Sequence, residues 1–171
     1  MILPKVRDMR FTTIRRGGTL SDDHHRLLAL WAAECANHVL HFFEEVRPGD
    51  DRPRRAIECT RAWVLGEIAM KEARVSAYHA NAAAMETEGA AKQAAFSAGQ
   101  AVVVAHVAAH YLGAAAYAIK AALAAGNETT RDEMGRNEWM WQIEKVPTEL
   151  KELILEDQRN RNGICWIVFC V

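Results

Sequence analysis

AVVVAHVAAHYLGAAAYAIKAALAA, residues 101–125, decides how this chain folds. The stretch is almost wholly apolar, yet His106 and His110 stand near its middle, four positions apart. Its length suffices to cross a bilayer. Its content argues against that, because Ala is only weakly lipophilic and two imidazoles near the centre would be expensive in lipid without partners. The stretch therefore reads as the second part of one buried, Ala-rich helix over about residues 90–125, with no membrane span. Gly99 and Gly113 either bend this helix or let another approach it closely. The fold class that follows is all-α: a single bundle of about five helices, long and antiparallel, with the Ala-rich helix at the centre.

Working outward, strong punctuation sets the other elements. Ser21 followed by Asp22 and Asp23 supplies a hydroxyl cap and negative charge for a helix start, and that helix runs to about Val46. Pro48, Gly49 and Pro53 in RPGDDRP interrupt the chain, and Pro53 suits the first turn of a second helix that continues to about Glu86. Gly89 precedes the Ala-rich helix, and Gly126-Asn127 closes it. Thr129 or Thr130 caps a fourth helix to about Ile143, and Pro147 opens a fifth that breaks near Gly163. The apolar tail CWIVFCV either packs back onto the bundle or forms a short strand. Residues 1–20 form an N-terminal extension and residues 21–171 a single helical domain.

The bulk properties narrow the function classes. At 171 residues, half of them hydrophobic and a quarter charged, the chain supports one packed core and not two comfortable domains. A net charge of −1 with mixed signs gives no support for nucleic acid or an anionic membrane as partner. Cys35, Cys59, Cys165 and Cys170 form no CxxC or zinc spacing. With no export signal at the N-terminus, they read as reduced thiols of a cytoplasmic protein.

Helical spacing places several polar groups near the core. Glu34, His38, His41 and Glu45 form a stripe along the edge of the first helix's apolar side. They read as a solvated flank, with a bundle metal site as the alternative. Glu67 and Lys71 fall in the inward arc of the second helix with Ile57, Val64, Ile68, Val75 and Tyr78, and read as an i,i+4 ion pair at the bundle edge. His106 and His110 share a face with Phe96, Val103 and Tyr117. Two histidines at this spacing can both reach one metal, but no further ligand is sequence-local and HExxH is absent. Together with Glu67 and Lys71 they are better read as a polar core network, since buried polar groups need partners. No cofactor is expected. P-loop, dinucleotide-binding and nucleophile-elbow motifs are all missing.

Four segments in order, RRGGTLSDDHHRLLALWAAECANHVL (15–40), DDRPRRAIECTRAWVLGEI (50–68), AHVAAHYLGAAAYAIKAA (105–122) and LKELILEDQRNRNGICWIVF (150–169), carry a resemblance. Together they resemble the Imm-5-like family of immunity proteins associated with bacterial polymorphic toxin systems. The resemblance implies a non-catalytic protein that binds a cognate toxin domain and blocks it by steric occlusion. It carries over no catalytic residues. Arginine and aromatic anchors are favoured at such interfaces, which makes Arg47, Arg52, Arg54, Trp139 and Trp141 the partner-binding candidates. Two alternatives stay open: a helical homo-oligomer, such as a homodimer packed on the small-residue face of the central helix, and a His/Glu metal protein.

Overall fold

The computed structural model describes residues 2–170, which form eight α-helices and no strand. They are α1 (Asp22–His38), α2 (His41–Glu44), α3 (Arg52–Leu65), α4 (Met70–Met85), α5 (Gly89–Val103), α6 (Tyr111–Ala125), α7 (Arg131–Glu144) and α8 (Lys151–Arg161). The all-α class holds. The count of about five does not, because three of the expected helices are interrupted.

The first helix stops early: α1 ends at His38, and α2 follows as a single turn. Its start is as expected, with the Ser21 hydroxyl accepting from the His24 amide at 3.1 Å. The second expected helix is cut by Gly66, which adopts φ 78° beyond the end of α3. A left-handed residue there closes a helix, and glycine adopts it without steric cost. The chain restarts as α4 after Ala69, whose backbone is extended.

The largest correction concerns the decisive stretch itself. It is not part of one long helix, because α5 ends at Val103, Val107 is extended (φ −138°, ψ 108°), and α6 begins at Tyr111. The break lies beside the run Val102-Val103-Val104, where crowded β-branched side chains weaken helix propensity. Residues 104–110 thus form a hinge, and α5 and α6 fold against each other as an antiparallel hairpin. Ser97 donates to the Ala114 carbonyl at 2.8 Å, and the rings of Phe96 and Tyr117 lie 5.2 Å apart. Gly99 and Gly113 do not bend their helices. A Cβ on Gly99 would strike the Asn81 side chain of α4, and one on Gly113 would meet Gln100 of α5. They mark close approach, and the buried alanines of α4, α5 and α6 extend it.

The chain ends are fastened to this hairpin. Ile2, Phe11 and Leu20 of the N-terminal segment are buried in the core. The tail packs back without forming a strand: Trp166 and Ile167 turn through positive φ, and the Asn162 side chain pairs with both backbone groups of Phe169. On α8, Arg161 and Asp157 are buried as an ion pair, with Arg161 Nε 2.9 Å from Asp157 Oδ1. The Tyr111 hydroxyl donates to the same carboxylate at 2.6 Å, and Arg161 Nη1 donates to the Ala109 carbonyl at 3.0 Å. Burial opposes the charge on Arg161, but the Asp157 carboxylate outweighs it and raises the guanidinium above its ordinary value.

Removing one partner of such a pair strands the other in the core. We expect Arg161→Met to lower unfolding stability by about 3–5 kcal/mol in urea titrations. Adding Asp157→Leu to the same chain should restore part of that loss, because no buried charge is then left over.

Candidate functional site

The hinge organises the polar chemistry of the molecule. A helix that breaks inside the core frees backbone carbonyls that must find donors. His25 Nε2 of α1 donates to the Val104 carbonyl at 2.7 Å, and Arg16 Nη1 of the N-terminal segment donates to the His106 carbonyl at 3.0 Å. Arg161 of α8 takes the Ala109 carbonyl. Three elements, each distant in sequence from the hinge, thus converge on its seven residues. Burial holds the His25 imidazole below its ordinary pKa, which favours the neutral ring that this bond uses.

His106 and His110 therefore sit in and at the end of the hinge, and not on one continuous helical face. His110 Nδ1 donates to Gln100 Oε1 at 2.7 Å. Burial first, then the charge of Arg161, depresses its pKa to about 4. His106 Nδ1 is buried and has no hydrogen-bond partner, and its pKa too is lowered by burial and by Arg16. Glu67 and Lys71 do not join them: both are exposed, and they make no ion pair with each other among the described residues. The phase of that helix resets at Gly66, so Val75 and Tyr78 also point outward, at 48% and 59% exposure.

The stripe on the first helix disperses to separate partners. Glu34 pairs with Arg61 of α3 at 2.9 Å. His38 donates to the buried Glu138 of α7 at 2.6 Å, and its ring stacks on Trp141 at 3.7 Å between centroids. His41 donates to the His38 carbonyl at the end of α1, and Glu45 is exposed. Among the described residues no three His, Cys, Asp or Glu side chains converge at metal-binding distance. Burial pushes the Cys165 thiol up to about 11 and raises Cys35 well above its ordinary value, so neither is a thiolate near neutral pH.

The expected anchors are held in place by their own chain. Arg52 bridges Asp50 and Glu86, each at 2.6 Å, and Arg47 donates to the Glu86 carbonyl. Arg54 pairs with Glu44 at 2.6 Å. Trp139 is half-buried and donates to Gln158. Arg47 and Arg52 nevertheless meet at one place, the C-terminal end of α4. There the outer face of α4 presents Val75, Tyr78 and Met85, the last 68% exposed, along one stripe. A groove between α3 and α4 runs beside it, lined by Arg52, Arg55, Cys59, Glu72, Val75 and His79 among others.

A larger cavity, about 650 Å³, opens against the hinge on another part of the molecule. Its walls include the N-terminal segment, the start of α1, the α3–α4 junction and Arg161. Its walls come from four separate parts of the chain that meet only once the hinge has formed, so no local sequence pattern marks it.

The family of Imm-5 like putative immunity proteins matches residues 18–149. The chain belongs to that family. No curated protein and no solved structure matches it. The matched residues include the whole of α1 to α7 and exclude α8 and most of the N-terminal segment. No helix among the described residues is long and apolar enough to cross a membrane.

The depressed imidazoles give a signed pH dependence. His25, His106 and His110 take up protons less readily folded than unfolded, where the ordinary value is 6.5. Below that value the unfolded chain binds more protons, so stability falls as pH drops from about 6.5 towards 4. Urea midpoints measured across this window should decline, and His110→Gln should flatten part of the slope.

Proposed function

We propose that this chain is an immunity protein that binds a cognate toxin domain and blocks it by covering its active surface, with the outer face of α4 as the contact. The observation that carries this reading is the exposed Val75–Tyr78–Met85 stripe on a helix inside the family-matched residues. Contiguous apolar surface rimmed by polar groups marks protein interaction sites. Tyr78 is the amphipathic, low-entropy type of side chain that dominates binding energy, and Arg47 and Arg52 supply a charged rim beside it. Arg52 is already oriented by Asp50 and Glu86, so this polar rim needs little further ordering.

Occlusion needs a stable scaffold more than a reactive cleft. The α4 stripe stands on the α5–α6 hairpin, against which the inner alanines of α4 are buried. A family of immunity proteins and a rigid helix with an uncovered apolar face support the same mode of action.

The test is co-expression with the toxin domain encoded beside the gene, scoring growth and co-purification together. Tyr78→Glu combined with Met85→Glu should abolish rescue and weaken the complex on the order of 100-fold. Because both side chains are exposed, the melting temperature should move by no more than a few degrees. Full rescue by the double variant would move the contact off α4. A stable dimer mass with no toxin complex would replace this reading with self-association through the same stripe.

A further inference from the structure

We propose that the cavity beside the hinge is a binding site for a small organic anion, with a carboxylate or phosphate head on a flat apolar body. This is independent of the toxin reading, since the cavity lies outside the α4 face. A volume of about 650 Å³ is that of a small-molecule pocket.

Its electrostatics are one-sided. The lining carries Lys5, Arg7, Arg15, Arg16, Arg26 and Arg161 against Asp8, Asp22 and Asp157. Each of those three carboxylates is already neutralised. Asp8 is gripped by Arg10 from outside the lining at 2.7 Å, Asp22 pairs with Arg15, and Asp157 pairs with Arg161. Lys5, Arg7 and Arg16 have no carboxylate partner among the described residues. A concave site with surplus positive charge concentrates anions, and its low-dielectric walls strengthen the attraction.

The rest of the wall suits an apolar body. Trp63, Phe11 and Ile68 line it, and Trp63 is held by the buried His25 ring at 5.0 Å between centroids. His106, whose buried Nδ1 lacks a partner, is also a wall residue and can donate or accept one hydrogen bond. The bonds that close the hinge preorganise the inner wall, and the exposed Lys5 and Arg7 at its mouth are the cations that binding must order. Lys5, Arg7, Arg15, Arg16 and Arg161 lie outside residues 18–149 and Arg26 inside them, so most of the cavity's cations come from segments beyond the family match.

The experiment uses the full chain and two fluorescent probes. One is 1-anilinonaphthalene-8-sulfonate, an aromatic anion; the other is N-phenyl-1-naphthylamine, the same body without charge. The anion should bind once per chain and at least tenfold more tightly than the neutral probe. Lys5→Gln with Arg7→Gln should weaken it about tenfold, as should raising the salt concentration, while the distant Arg54→Gln changes nothing. Trp63→Leu should weaken both probes. Because Lys5 and Arg7 are exposed, a cooperative thermal melt should persist in that pair even if Trp63→Leu unfolds. Displacement by 1-naphthoate or by 1-naphthyl phosphate then identifies the preferred head group. Equal affinity for both probes, or indifference to the Lys5/Arg7 pair, overturns the proposal. Displacement by a Glu-rich peptide but by neither small anion also overturns it, in favour of an acidic protein segment.

Discussion

The structure depends on how three backbone carbonyls are satisfied in the middle of an apolar segment. Breaking the central helix at residues 104–110 costs helical hydrogen bonds where solvent cannot replace them all. The donors come from His25, Arg16 and Arg161, each far along the chain from the carbonyl it reaches. Each long side chain draws its own element towards the hinge. The N-terminal segment, α1 and α8 are fixed by polar bonds as well as by apolar burial. The break, in return, lets α5 and α6 lie antiparallel with their alanine faces together, which no continuous helix could do.

Cationic donors leave a consequence in the shape of the molecule. An arginine reaching a carbonyl through its full length holds its backbone several ångströms away, and its own side chain becomes part of the wall. Arg16 and Arg161 both do this at the hinge, and the cavity lies between them. A buried Arg–Asp pair is poor evidence of net stability by itself, because desolvation offsets much of the attraction. Here its best-supported role is registry. Asp157 also accepts from Tyr111, so the turn of α8 that meets the first residue of α6 is fixed by three groups at once.

Much of the helical frame was legible in the sequence, because its boundaries are written in residues with strong local preferences. Ser21 caps α1, the Pro48–Pro53 segment separates α2 from α3, Gly89 opens α5, and Gly126 follows α6. The hinge was not legible, because no Pro or Gly stands in it and the valine run that weakens the helix is equally at home inside one. Gly66 was readable as a break, yet the period of the flanking apolar residues bridged it and placed Val75 and Tyr78 on the wrong side. The site suffered most from this, since inward or outward placement of a residue follows helix phase. Arg161 and Asp157 did carry a signal. With Ile154 and Gln158 they occupy one stripe at i, i+3, i+4 and i+7, the spacing of a buried face. In a segment so rich in charge, LKELILEDQRNR reads first as a solvated surface.

A net charge of −1 conceals a sharp division of charge and polarity over the molecule. The face of α4 is apolar with arginines at one end, inside the residues shared with the family. The cavity is cationic: its unpaired Lys5, Arg7 and Arg16 come from outside those residues, while α1, the α3–α4 junction and the hinge, inside them, complete its walls. The two surfaces also rest on different supports. The α4 stripe stands on alanine packing against α5, whereas the cavity stands on side-chain bonds to the hinge. Substitutions on the exposed face of α4 touch no hinge carbonyl, and among the described residues Lys5 and Arg7 make no side-chain hydrogen bond or ion pair with α4. Distant sites without shared partners act additively, so each surface can change while the scaffold and the other surface stay as they are. A scaffold held from inside by its hinge leaves its outer faces free to vary.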